Sequence, residues 1–154
     1  MKKFLTLIFF LNFSLSNAYS IQPDVFVQST VNRASEVLSK NISKEDKIDG
    51  LKIIAKETVD IKGIGFYSLG SHRKNLTKEE LASYSEVFQK YFLKSFASRL
   101  AEYSNPEIEV NSKEIINKNY TIVSSTLVAT ETRPEVKIDW RVYTKDPNNL
   151  LIRD

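Results

Sequence analysis

The chain has 154 residues, enough for one domain with its own core, and it contains no cysteine for a disulfide framework or a thiol nucleophile. Apolar residues make up 42% of the chain and charged residues 27%, as in ordinary globular proteins. The net charge of +3 falls to +1 once the two lysines of the leader described next are set aside, so the composition argues against a nucleic-acid partner.

Residues 1–18 have the pattern of a cleaved secretory signal peptide. Two lysines precede an apolar run over residues 4–13, and Ser16 and Ala18 place small side chains before the cleavage point. The run is too short for a permanent membrane anchor, and no cysteine follows it for lipid attachment. We therefore expect export to the periplasm of a Gram-negative cell and one domain over residues 19–154.

Three helices are predicted after the leader. Pro23 fits the first turn of a helix that runs to about Lys40, Ser43 begins a second helix, and Asp60 caps a short third helix that ends at Gly70. Each of the first two helices has one apolar face, formed by Val27, Val31, Ala34 and Leu38 in the first and by Ile48, Leu51, Ile54, Ala55 and Val59 in the second.

A fourth, long helix is predicted from Thr77 almost to Asn105, roughly 26 residues without glycine or proline. Thr77 and Glu80 have the spacing of a capping box, and Pro106 provides the stop signal. Its apolar residues cover an unusually wide arc: Leu81, Tyr84, Val87, Phe88, Tyr91, Phe92, Phe96, Leu100 and Tyr103. The arc has two interpretations, a helix of a filled core or the wall of a cavity for an apolar ligand.

Beyond Pro106 the apolar period changes from about 3.6 to 2, which predicts strands. They are expected over residues 107–116, 120–130 and 136–143, with a fourth beginning at Leu150. Helices followed by antiparallel strands indicate the α+β class, with the helices packed on one face of a meander.

The sequence offers no set of residues for catalysis or for metal binding. The only histidine, His72, lies in the polar connector 71–75, and Gly63 and Gly65 lack the spacing of a phosphate-binding loop. We therefore predict that the protein is not an enzyme and binds no cofactor or metal. The remaining candidate is the apolar surface of the long helix and the third strand, which either fills a core or lines a tunnel sized for acyl chains.

Several short motifs occur in the order and at the spacings of one protein family. They are Val59–Ile61, Leu69–Gly70, Thr77–Glu80, Phe88–Phe92, Tyr103 and, in the third strand, Val136–Val142. On these motifs the chain resembles the MlaC/toluene-tolerance family of periplasmic phospholipid-binding proteins. The resemblance covers the whole of the chain after the leader.

The resemblance implies a monomeric shuttle that carries phospholipid between an outer-membrane lipoprotein complex and an inner-membrane ABC transporter complex. It also implies that helices and a curved antiparallel sheet of about four strands enclose an apolar pocket. The residues expected to bind lipid are Ile64, Leu69, Phe88, Tyr91, Phe92, Phe96, Leu100, Val136, Ile138 and Trp140.

Two departures from the family pattern are evident. Gly65–Ser68 replaces the usual Met-Ala-Arg before Leu-Gly, and the chain ends within the first half of the family's last strand. We therefore expect a truncated member that lacks the end of this strand and the final helix. Such a member would have an open sheet edge, an uncovered pocket wall and a tendency to aggregate.

Two other classes of function are compatible with the sequence. One is a small-ligand binder or enzyme with a cone-shaped α+β fold, which would require polar groups such as Tyr91, Asp139 and Arg141 to converge in a pocket. The other is a periplasmic adaptor with a dry core that uses the long helix to bind a partner. The alternation of the third strand places Asp139 and Arg141 on the face opposite Trp140, which argues against the first class.

Overall fold

Four α-helices form the first part of the described chain, which is residues 20–154 in the computed structural model. They are α1 (Pro23–Ser39), α2 (Lys44–Thr58), α3 (Ile61–Ser68) and α4 (Lys78–Leu100). The predicted leader lies outside the described residues, and the domain boundary and the truncation stay predictions. Among residues 20–154, no helix combines the length and the apolarity needed to cross a membrane.

The predicted helix starts are confirmed by their capping hydrogen bonds. Ser43 Oγ accepts from a backbone N–H three residues ahead at 3.1 Å, and an Asp60 carboxylate oxygen accepts from Gly63 N at 2.9 Å. At α4 the capping box is complete, since Thr77 Oγ1 accepts from Glu80 N and a Glu80 carboxylate oxygen accepts from Thr77 N. Local side-chain chemistry therefore sets where three of the helices begin.

The connector and the end of α4 differ from the prediction. The predicted polar connector 71–75 belongs to a 3₁₀ segment, Gly70–Asn75, and α4 ends at Leu100 instead of near Asn105. Tyr103 N bonds back to Leu100 O at 3.0 Å, and Asn105 adopts a left-handed conformation with φ of 47°. These tight turns end the helix before Pro106 and turn the chain toward the sheet, which begins at Ile108.

Four antiparallel strands follow, β1 (Ile108–Asn117), β2 (Tyr120–Leu127), β3 (Val136–Tyr143) and β4 (Leu151–Ile152), in the spatial order β1-β2-β3-β4. The predicted α+β class and meander are confirmed. The predicted end of β2 was three residues too late, because Thr130 no longer pairs with a neighbouring strand and instead closes a short turn with Arg133.

Helix α1, and not the long helix α4, packs on the sheet. Val27 and Val31 of α1 form a buried cluster with Val123 of β2 and Val142 of β3. Helix α4 packs instead against α2 and α3, where Leu93 joins a second buried cluster. The helices therefore form a layer in which α1 contacts the sheet and α4 lies on the other helices.

Asp60 connects the helical layer to the end of the chain. Besides capping α3, its carboxylate accepts from Arg153 Nε at 2.6 Å, and Arg153 also donates to the Tyr120 hydroxyl at 2.7 Å. The guanidinium lies 3.6 Å from the ring centre of Tyr143. One carboxylate thus holds the start of α3 against the residue that follows β4.

We expect Asp60→Ala to lower the free energy of unfolding by about 2 kcal/mol, because the variant loses a helix cap and a partly buried charged hydrogen bond. Urea denaturation measures the effect. The control is Asp49→Ala, which removes an exposed ion pair with Lys52 and should cost roughly 0.5 kcal/mol or less. Equal losses in the two variants would show that Asp60 has no special structural role.

Candidate functional site

An apolar cavity of about 150 Å³ lies between the helical layer and the sheet. Helices α1 and α2 supply one wall, Phe96 and Leu100 near the end of α4 supply a second, and Ile138 and Trp140 of β3 supply the sheet side. The residues that α1 and α2 contribute are Thr30, Val31, Ala34, Ser35, Leu38, Leu51, Ile54, Ala55 and Thr58. No charged side chain of the described chain lines this cavity.

The side-chain polar groups that α1, α2 and β3 contribute to the wall already have hydrogen-bond partners. Thr30 Oγ1 and Thr58 Oγ1 donate to carbonyl oxygens one helical turn back, at 2.9 and 2.8 Å. Ser35 Oγ donates to Pro106 O at 2.9 Å, and Trp140 Nε1 donates to Ser125 Oγ at 2.8 Å. Apart from the hydroxyl of Tyr103, the wall therefore offers a ligand apolar contact and shape.

The hydrogen bond between Trp140 and Ser125 provides a test of how the sheet wall is held. Ser125 is almost fully buried behind the indole, whereas Ser124 lies on the other face of β2 and donates to Asp139. We expect Ser125→Ala to cost about 1–3 kcal/mol, because the indole N–H loses its acceptor. The control Ser124→Ala should change stability by less than about 0.5 kcal/mol in thermal unfolding. A larger loss of stability in Ser124→Ala than in Ser125→Ala would contradict this role of Ser125.

A row of stacked rings runs along α4 into the cavity. Tyr84, Phe88, Phe92 and Phe96 stack at centroid distances of 5.7, 6.1 and 5.4 Å. Phe96 is the ring of this row that lines the cavity; Phe88 and Phe92 pack against the cluster that α2, α3 and α4 form. Gly65 permits this packing, since a Cβ there would lie 2.8 Å from the Phe88 ring. The row is therefore mostly a helix–helix contact.

Four of the ten predicted lipid-binding residues meet at the cavity: Phe96, Leu100, Ile138 and Trp140. The other six lie elsewhere: Phe88 and Phe92 in the ring row, Leu69 half-buried after α3, Ile64 in a separate cleft, and Tyr91 and Val136 exposed. Tyr91 is 69% exposed, because it projects from the side of α4 that faces away from α2 and α3. A role for these residues in lipid binding stays a prediction.

Sequence reasoning missed the contribution of α1 and α2. The apolar faces of both helices were visible in the sequence, but nothing in their spacing showed that Ala34, Leu38, Leu51 and Ile54 border an open space. Their small and branched side chains leave room that larger ones would fill.

The polar residues of the alternative site do not converge. Asp139 and Arg141 are exposed on the sheet face opposite Trp140, as the alternation predicts, and Tyr91 projects from α4 into solvent. His72 is exposed in the 3₁₀ segment. Within residues 20–154, no three His, Asp or Glu side chains are grouped closely enough to hold a metal ion.

A second, more polar cleft of about 230 Å³ adjoins one end of the cavity. The cleft and the cavity share Tyr103, Pro106 and Leu127, so these residues mark where the apolar space meets a polar surface. Arg133 lies in this cleft with its guanidinium 4.4 Å from the ring centre of Tyr103, and it donates to Glu102 O at 3.0 Å. The site as a whole therefore has an apolar interior and a polar end, where Arg133 and Glu107 are the charged residues.

Comparisons with known proteins agree with this architecture. Among solved structures, the fold is similar to that of the phospholipid-binding protein from Ralstonia solanacearum in complex with a phospholipid, with a TM-score of 0.70 and 16% identity. The match covers 87% of this chain and 76% of that one. No curated protein sequence matches the chain. The family profile described as MlaC protein matches residues 28–154, and the chain therefore belongs to the MlaC family.

Proposed function

We propose that the protein is a periplasmic carrier of phospholipid whose acyl tails enter the apolar cavity. The observation that carries this proposal is the cavity wall, which is apolar and in which the side-chain polar groups of α1, α2 and β3 are already hydrogen-bonded. Such a wall binds hydrocarbon without selecting for polar groups. Each methylene that is buried contributes about 0.8 kcal/mol of favourable binding free energy. Membership of the MlaC family and the phospholipid-bound neighbour of similar fold support the same ligand class.

The cavity is too small for an acyl tail unless it widens. A cavity of about 150 Å³ holds a molecule such as benzene, and an acyl tail is much longer. We infer that a tail enters by separating the helical layer from the sheet around α1, so that the bound form has a larger cavity. A ligand shifts a protein toward the conformation that it binds better, and the buried methylenes supply the differential affinity that this shift requires.

The polar cleft beside the cavity is the proposed place for the lipid head group. Arg133 and Glu107 both line this cleft, and the Arg133 guanidinium is the group that would bind the phosphate. A tail in the cavity and a phosphate near Arg133 would leave the rest of the head group in solvent. This arrangement fits a carrier, which must hold and release the same lipid, and it requires no chemical step.

The carrier is proposed to exchange lipid with an outer-membrane lipoprotein complex and an inner-membrane ABC transporter complex, as a monomer in the periplasm. The predicted leader over residues 1–18 supports the location, and family membership supports the partners.

Native mass spectrometry of the full chain purified from a Gram-negative host tests the proposed function. We expect adducts with the masses of phospholipids, identified by lipid extraction and fragmentation. A small polar adduct would instead support a small-ligand binder, and a protein without any adduct would support the adaptor. Either of these two results contradicts the carrier.

A further inference from the structure

Cationic side chains are concentrated in one segment of the chain. Residues 61–78 contain four lysines and arginines and no aspartate or glutamate; the cations are Lys62, Arg73, Lys74 and Lys78. The rest of the described chain has sixteen lysines and arginines against nineteen aspartates and glutamates. The net positive charge of the described protein is therefore located in α3 and the 3₁₀ segment, since Glu79 and Glu80 follow Lys78 at the start of α4.

None of these four cations forms an ion pair in the described chain. Within residues 20–154, the ion pairs involve other lysines and arginines, and none includes a cation of this segment. Lys62 lies over the ring of Phe66, with Nζ 5.5 Å from the ring centre. The segment therefore presents its charge to any anionic surface that approaches it.

Exposed apolar side chains lie beside these cations. Tyr67 of α3 is 82% exposed, and Ile116 at the end of β1 is 51% exposed. Both line one open cleft together with Phe66 and Arg73, so the end of β1 lies next to the basic segment. This cleft shares no lining residue with the apolar cavity. We call Lys62, Phe66, Tyr67, Arg73, Lys74 and Ile116 the α3 surface.

We propose that the α3 surface docks reversibly on an anionic phospholipid bilayer. Unpaired lysines and arginines are attracted to the negative potential of such a bilayer, and each contributes about a fivefold gain in binding near the surface. Exposed aromatic and aliphatic side chains enter the interface between head groups and acyl chains. An acidic protein surface would attract the cations but would leave Tyr67 and Ile116 without a partner. The bilayer accounts for both features.

Co-sedimentation of the full chain with lipid vesicles tests this docking. We expect binding to vesicles of phosphatidylcholine mixed with phosphatidylglycerol, weak or no binding to phosphatidylcholine alone, and release at high salt, where charge is screened within about 3 Å. The double variant Arg73→Glu/Lys74→Glu should weaken binding at least about tenfold. Tyr67→Ser should weaken binding to the anionic vesicles at low salt, since it removes apolar contact and no charge.

A matched control separates the α3 surface from charge in general. Lys56→Glu/Lys94→Glu makes the same charge change at two exposed lysines of α2 and α4, and we expect binding within about twofold of the unmodified chain. Equal losses in the two double variants would overturn the proposal, and so would equal binding to both vesicle types or no binding to the anionic vesicles.

The docking does not depend on the proposed lipid cavity, so the docking proposal and the carrier proposal can be disproved independently. Ala34→Phe, which fills the cavity, should bind anionic vesicles as the unmodified chain does. A loss of vesicle binding in this variant would overturn docking through the α3 surface. Absence of a lipid adduct in native mass spectrometry would leave the vesicle result unchanged and would count against the carrier alone.

Discussion

Replacing Ala34 by phenylalanine is expected to abolish phospholipid binding while the protein stays folded. Ala34 is half-buried on α1 and lines the apolar cavity. A phenyl group takes up most of a space of about 150 Å³, because an engineered cavity of that volume is filled by benzene, and a tail that widens the cavity must still enter this space. Filling an apolar cavity with an apolar side chain is usually neutral or stabilising. Native mass spectrometry should show the variant without its phospholipid adduct, and urea denaturation should show no loss of stability.

The control for this variant is Ala82→Phe, which adds the same phenyl group at an exposed position of α4. It should retain the lipid adduct of the unmodified chain. If Ala34→Phe is folded and still carries a full complement of phospholipid, the tails do not enter this cavity.

Leu51→Ala is expected to cause the largest loss of stability, about 4 kcal/mol. Leu51 is 2% exposed and packs between Leu38 of α1 and Ala97 of α4, so it joins three helices. It also borders the cavity, so the space left by its truncation adds to an existing void, and its neighbours do not close over it. Leucine-to-alanine changes in cores cost about 2–5 kcal/mol, and the cost rises with the residual cavity. The loss is a large part of the 5–15 kcal/mol that stabilises a typical domain.

Ile53→Ala is the matched control, since it deletes the same number of carbons two residues further along α2. Ile53 is 56% exposed, so its truncation should cost less than about 1 kcal/mol in the same urea titration. Similar losses at the two positions would mean that α2 does not pack as described.

The parts of the fold that depend on local chemistry were predictable from the sequence. Ser43, Asp60 and Thr77 each bond a backbone N–H within three residues, so the helix starts needed no knowledge of tertiary structure. The alternation along β3 likewise predicted that Ile138, Trp140 and Val142 face the core, because successive strand residues point to opposite faces, although Val136 at the start of the strand is exposed.

The site was less predictable, because apolar periodicity shows that a face is buried but not what it is buried against. The apolar residues of α4 formed one broad arc in the sequence. In the structure Val87 and Tyr91 are exposed, and a single stripe of rings at four-residue spacing packs inward. Phe92 packs against helices and Phe96, one turn later, lines the cavity. That difference arises from the placement of α1 between α2 and the sheet, which the sequence pattern does not determine.

Trp140 allows the most direct test of where phospholipid tails lie, since it is the only tryptophan of the chain and it lines the cavity. Bromine atoms on an acyl chain quench tryptophan fluorescence on contact. We expect phospholipid with brominated tails to quench Trp140 emission, the same lipid without bromine to leave it unquenched, and Ala34→Phe to abolish the effect. If native mass spectrometry shows brominated phospholipid bound and Trp140 emission is unchanged, the acyl tails lie outside the cavity. The proposal that phospholipid binds with its tails in this cavity is then wrong.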